Sequence, residues 1–160
     1  MASKPPIDLF MPPNMLKAKI GGGLGGIDMA ALKRAEAALE QVSGEFAEWM
    51  DQDVRILADM AARHAAQPDA ESRAALLRAA HDIKGQAATF DFPLVGRVAA
   101  SLSKLVDEIP PGCALPTALV EAHVQAVLVI HRQNIRGAQD ATASTLCAEL
   151  EARVNETLAA

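Results

Sequence analysis

One short stretch of this sequence carries side chains suited to group transfer: His81-Asp82-Ile83-Lys84-Gly85-Gln86. A neutral imidazole is a good nucleophile near neutral pH, because its ordinary pKa is about 6.5. Lys84 follows three residues later and supplies a mobile ammonium that can meet phosphoryl oxygens. Glycine inside a helix costs about 1 kcal/mol relative to alanine, so Gly85 needs a reason. With no side chain one turn beyond the histidine, the backbone or a loop of another protein can come close to the imidazole. Ala88 extends the same surface with a second small side chain. The pattern suits a phosphoryl acceptor, His81, with Lys84, Gly85 and Ala88 as its phosphate and partner contacts.

A helix must present these residues. At about 100° per residue, Leu76, Ala80, Ile83, Ala87 and Phe90 fall within about 80° of one another and form a buried stripe. His81 then lies roughly 140° from the centre of that stripe and faces solvent. Lys84 and Gly85, at i+3 and i+4, flank the same face.

The surrounding elements follow from hydrophobic spacing and breakers. Residues 1–27 contain Pro5, Pro6, Pro12, Pro13 and the glycine run 21–26, which resist helix and strand, and they are expected to form a flexible leader. The glycine run lacks the Gly-Lys-Ser/Thr that a phosphate-binding loop needs. Its apolar patch, residues 7–11, could still dock on the domain or on a partner. Residues 28–160 are read as one helical domain with its core over about 45–135.

Asp28 is a candidate cap for a helix through about Gln41, with Leu32, Ala35 and Leu39 on one stripe; Ser43-Gly44 either breaks that helix or is absorbed into it. Core helices are expected over about 45–66, 70–90, 93–109 and 117–134, the second capped by Asp69 and the third opened by Pro93. The fourth is apolar nearly all round, so the first and last helices are expected to cover it. The last, from about Ala143, repeats Leu146, Leu150, Val154 and Leu158. Phe46, Trp49 and the methionines are expected to be core or cover residues. The fold class is therefore all-α: an up-down four-helix bundle with additional N- and C-terminal helices.

Composition agrees. Of 160 residues, 51% are hydrophobic and only 3% aromatic, and the formal charge of −5 argues against nucleic acid as a partner. Cys113 and Cys147 stand alone, and the apolar run 124–130 is too short to span a bilayer, so no membrane partner is expected and the location is read as cytoplasmic. His64, His123 and His131 show no metal-ligand spacing and are expected to be partly exposed bundle residues.

The arrangement His81-xx-Lys84-Gly85, then small residues, then Thr89-Phe90-Asp91-Phe92-Pro93-Leu94, resembles the histidine phosphotransfer (HPt) domain motif over about residues 45–135. It is especially similar to stand-alone bacterial HPt phosphocarriers. The resemblance implies a relay of phosphate between aspartates of response-regulator receiver domains, with a hybrid histidine kinase as a further partner. It makes His81 the acceptor, Lys84 its charge partner and Gly85 the clearance position. It implies no cofactor of its own, the Mg²⁺ being bound by the receiver, and no enzyme activity without that partner. The chain is expected to be monomeric.

Two positions depart from the family pattern. Asp91 stands where glycine is frequent, which bears on the turn. Ser103 stands where glutamate is frequent, which bears on receiver specificity. Asp82 is read as a surface carboxylate paired with Arg78 at i−4, the other use of an acid beside the histidine being as a base. A non-phosphorylated adaptor that binds receiver or kinase domains is the alternative function. The acceptor module of a chemotaxis-type kinase is a third, weakened because no kinase domain accompanies the motif.

Overall fold

The structure, a computed structural model, describes residues 29–160, without the side chains of 40, 43 and 45–47; the expected leader and the Asp28 cap lie outside the described residues. Among these residues there are five α-helices and no strand: α1 Met29–Ala66, α2 Ala70–Gln86, α3 Pro93–Glu108, α4 Thr117–Arg132 and α5 Ala141–Ala159. Ser43-Gly44 is absorbed, and α1 is one helix of 38 residues. A Cβ at Gly44 would meet nothing within 4 Å.

The chain divides into two compact units, 1–41 and 42–160. In the first, every described side chain from Met29 to Gln41 is exposed. The stripe Leu32, Ala35 and Leu39, expected to act as a cover, is not buried.

The second unit holds the core. α2 packs on α3, α3 on α4 and α5, and α4 on α5. Met50, Val54 and Leu57 of α1 enter the same core. The α1–α2 connection is tight: Arg63 pairs with Glu71 at 2.8 Å, and the His64 Nδ1 meets the Ser72 hydroxyl at 2.8 Å. A capping box starts α2, where the Asp69 carboxylate accepts from the Ser72 amide at 2.7 Å and the Ser72 hydroxyl accepts from the Asp69 amide at 3.2 Å. Asp140 caps α5 by accepting from the Ala143 amide at 2.8 Å.

Several expected core positions differ. Trp49 is half exposed rather than a core or cover residue. On α5 the buried line is Ala143, Cys147, Leu150 and Val154, and Leu146 is exposed. Steps of four residues drift by about 40° each, so a strict spacing of four walks off the buried face. His123 is fully buried rather than partly exposed. Its Nδ1–H donates to the Leu119 carbonyl at 2.7 Å, and its Nε2 accepts from the Ser101 hydroxyl at 3.0 Å.

Candidate functional site

α2 carries the candidate site and is held at both ends. Near its start, Arg73 reaches the end of α3 and donates to the carbonyls of Val106, Ile109, Pro110 and Cys113. Val106 is in the last turn of α3 and Ile109 is its C-cap, so the guanidinium acts as a C-terminal cap supplied from outside and also ties down the loop at Pro110 and Cys113. Along its length, Leu76, Ala80 and Ile83 are buried, as the 3.6-residue period requires, and Ala87 and Phe90 are buried just beyond its last residue.

The far end closes one turn earlier than the expected Phe90. The regular helix stops at Gln86, and residues 87–91 tighten into a turn. The Phe92 amide donates to the Ala87 carbonyl at 2.7 Å and the Asp91 amide to the Ala88 carbonyl at 3.2 Å, with Asp91 in the left-handed region at φ 63°. This is a Schellman closure, and it explains why glycine suits position 91: of residues 87–92, Asp91 alone turns left-handed. The α4–α5 loop fastens this turn. The Gly137 amide donates to the Asp91 carbonyl at 3.2 Å, and Arg136 donates to the Phe90 carbonyl while its guanidinium sits 4.7 Å above the Phe92 ring.

On the scaffold so fixed, His81 is the exposed histidine. Of the chain's four, His123 is buried and His64 and His131 are partly buried. His131 lies against the Phe92 ring, 5.3 Å between centroids, with its Nε2 3.4 Å from the Asp51 carboxylate. The His81 ring makes no hydrogen bond or ion pair among the described residues, nor does the Lys84 ammonium. Lys84, Gly85 and Ala88 are all exposed. Lys84 and Gly85 share the helical face of His81, whereas Ala88 lies just beyond the helix, in the tightened turn.

A Cβ at Gly85 would meet nothing within 4 Å, so packing inside the molecule gives no reason for glycine there. Gly96 of α3 is the opposite case: its missing Cβ would lie 3.3 Å from the Ala87 Cβ.

Two sequence readings are corrected. Asp82 makes no ion pair with Arg78; it is near enough to α1 to act on Asp53, whose carboxyl is raised by burial first and by the Asp82 charge second. Ser103 is buried, its Oγ without a hydrogen-bond partner among the described residues, so it cannot touch a docked receiver. Arg73 and Gly96 went unread from sequence: an arginine gives no local sign of capping a helix that starts 20 residues later. Asp91-Phe92-Pro93 did mark the turn, but not its handedness.

Among the described residues, no group of three or more His, Cys, Asp or Glu side chains is placed to hold a metal ion, and no helix is long and apolar enough to cross a membrane. Two surface grooves, one lined by Ala61, Leu115 and Val124 and one by Arg73, Leu77 and Ile109, do not include His81. His81 stands on exposed surface outside them.

Fold and site together define a helical bundle with one fully exposed histidine that has a lysine and a glycine on its face. The chain belongs to the Hpt domain family, whose model matches residues 32–129. No curated protein and no solved structure matches it.

Proposed function

We propose that this protein is a histidine phosphotransfer carrier that takes a phosphoryl group from the aspartyl phosphate of one receiver domain and passes it to the aspartate of another through His81. The observation that carries the reading is the exposed, unpartnered His81 on the rigid middle of α2, in a chain of the Hpt family. A ring nitrogen of His81 attacks phosphorus with its lone pair. The bond from phosphorus to the aspartyl oxygen breaks, and the electron pair leaves on the carboxylate. The reverse sequence unloads the phosphohistidine onto the second receiver.

Such a transfer passes through a loose transition state, so positioning and charge neutralisation supply most of the catalysis. Here α2 supplies position, Lys84 a cation and Gly85 room for the partner's backbone. Mg²⁺ and the remaining cations come from the receiver, so the chain alone catalyses nothing. The cytoplasm, where receivers work, is the location that fits this role.

Incubation with a phosphorylated receiver is the test. The wild-type protein should take up label that is acid-labile and base-stable, as a phosphoramidate is, and His81→Gln should take up none while keeping its helicity. Label persisting in His81→Gln would overturn the reading, and receiver binding without labelling of the wild type would favour the adaptor.

A further inference from the structure

Between the second half of α1 and α4 lies a cavity of about 390 Å³ that the proposed transfer does not use. All of it falls within the unit 42–160. Ala58, Ala61 and Ala62 of α1 line one side, and Val120, Val124 and Leu128 of α4 line the other. Alanine methyls are too short to close a gap that longer side chains would fill between two helices. Small-molecule sites have volumes of roughly 300–1,000 Å³, with apolar walls and a few polar groups that fix orientation. This cavity meets both conditions.

Its polar groups select the ligand, because the two that matter both accept. The Ser72 hydroxyl has one hydrogen, and it lies 2.8 Å from the Gln67 carbonyl and 3.0 Å from the Asp69 carbonyl. Having donated there, it accepts from the His64 Nδ1–H at 2.8 Å. The neutral His64 ring lines the cavity and therefore keeps a lone pair on Nε2, which makes no hydrogen bond among the described residues. Glu121, one turn into α4, lines the same cavity and forms no ion pair among the described residues. No Lys or Arg lines the cavity to balance its carboxylate. An anion would be repelled here, and an apolar molecule without a donor would leave both acceptors unused. An ammonium satisfies both, since it carries a positive charge and three N–H donors.

We infer that the cavity between α1 and α4 binds a small primary amine with an apolar body. Its ammonium donates to the Glu121 carboxylate and the His64 Nε2, and its body lies between the alanines of α1 and Val124 and Leu128. Phenylbutylamine is the probe, with phenylbutanol and phenylbutanoate as controls that share its apolar body. Titrated into the isotope-labelled full chain, the amine should shift the amide resonances of Ala61 and Val124 and bind with a Kd below about 1 mM. The alcohol should bind about fivefold more weakly, and the carboxylate should not bind. Glu121→Gln should weaken the amine about fivefold and leave the alcohol unchanged. Ala62 is exposed, so Ala62→Leu narrows the cavity without entering the core and should weaken amine and alcohol alike. Amine and carboxylate binding equally, amine binding indifferent to both substitutions, or shifts confined to residues away from the cavity would each overturn the inference.

Discussion

Gly96 on α3 and Ala87 at the end of α2 meet so closely that a Cβ on the glycine would lie 3.3 Å from the alanine's own. This contact brings α3 against α2 one turn beyond Lys84, where the helix closes. Gly85, only two residues before Ala87, has open space where its side chain would be. The two glycines thus stand in opposite settings, Gly96 packed against the chain's own Ala87 and Gly85 beside open space, where the proposed function needs room for a partner.

The two should respond differently to substitution. Gly85→Ala should stabilise the bundle by about 1 kcal/mol through helix propensity alone, and Gly85→Leu should fold while slowing phosphotransfer sharply. Gly96→Leu should destabilise by about 1–3 kcal/mol, because the Ala87 Cβ is tied to its backbone and cannot swing aside. Thermal unfolding and transfer rates measured on the same three proteins decide this. A Gly85→Leu protein that transfers at the parent rate would refute the clearance role.

Arg73 ties the start of α2 to the end of α3 through carbonyls of four residues. Removing it leaves acceptors at a helix end without their cation, and a hydrogen bond involving a charged group contributes about 1.5–3 kcal/mol. Arg73→Ala should therefore lower stability by roughly 2 kcal/mol in denaturant unfolding, with the slope of the transition unchanged. Arg73→Lys should recover only part of the loss, since a single ammonium cannot span the spread of carbonyls that the guanidinium fork reaches.

The buried face of α2 was legible in the sequence because a helix repeats every 3.6 residues and His81 falls opposite Leu76, Ala80 and Ile83. Asp69 and Pro93 marked their helix starts for equally local reasons, a carboxylate that accepts amides and a ring without one. What could not be read depends on contacts between distant segments. Arg73 became a cap through the position of α3, and His123 became buried because Ser101 and Leu119 offered both ring nitrogens a partner. Trp49 was misread because apolar character alone does not show whether the buried face is on that side of the helix. Asp82 was misread because a spacing of four along α2 does not show that α1 brings the Asp53 carboxyl within reach of its charge.

Acid should loosen the bundle in a window set by its histidines. Burial holds the His123 imidazole below its ordinary value, and so the unfolded chain takes up the proton first as pH falls. Stability from this group is full above the unfolded value, about 6.5, and declines as pH drops below it. His131 is lowered by burial too, although the Asp51 charge opposes the shift, and it adds to the decline. Glu151, held low chiefly by its hydrogen bonds from Arg97, loses its contribution only further down, in the carboxylate range. The melting temperature should fall between about pH 7 and 5, and less steeply in His123→Gln. A wild-type melting temperature flat across that interval would contradict this account of His123.

Lys84 separates charge from position at the proposed acceptor. Its ammonium is exposed and unpaired among the described residues, one turn along the face from His81, so removing it disturbs neither packing nor the nucleophile. An exposed charge contact contributes about 1 kcal/mol or less, so Lys84→Ala should slow labelling roughly fivefold. The final extent of labelling at long times should stay close to that of the wild type, because the phosphohistidine bond itself is unchanged. Lys84→Arg should keep most of the rate, and Lys84→Glu should fall below alanine, since a carboxylate repels the phosphoryl oxygens. The measurement is a time course with one phosphorylated receiver across the three variants at fixed salt. Rising ionic strength should narrow the gap between wild type and Lys84→Ala, as screening weakens an exposed charge. Equal rates for Lys84→Ala and Lys84→Glu would show that the side chain does not meet the phosphoryl group.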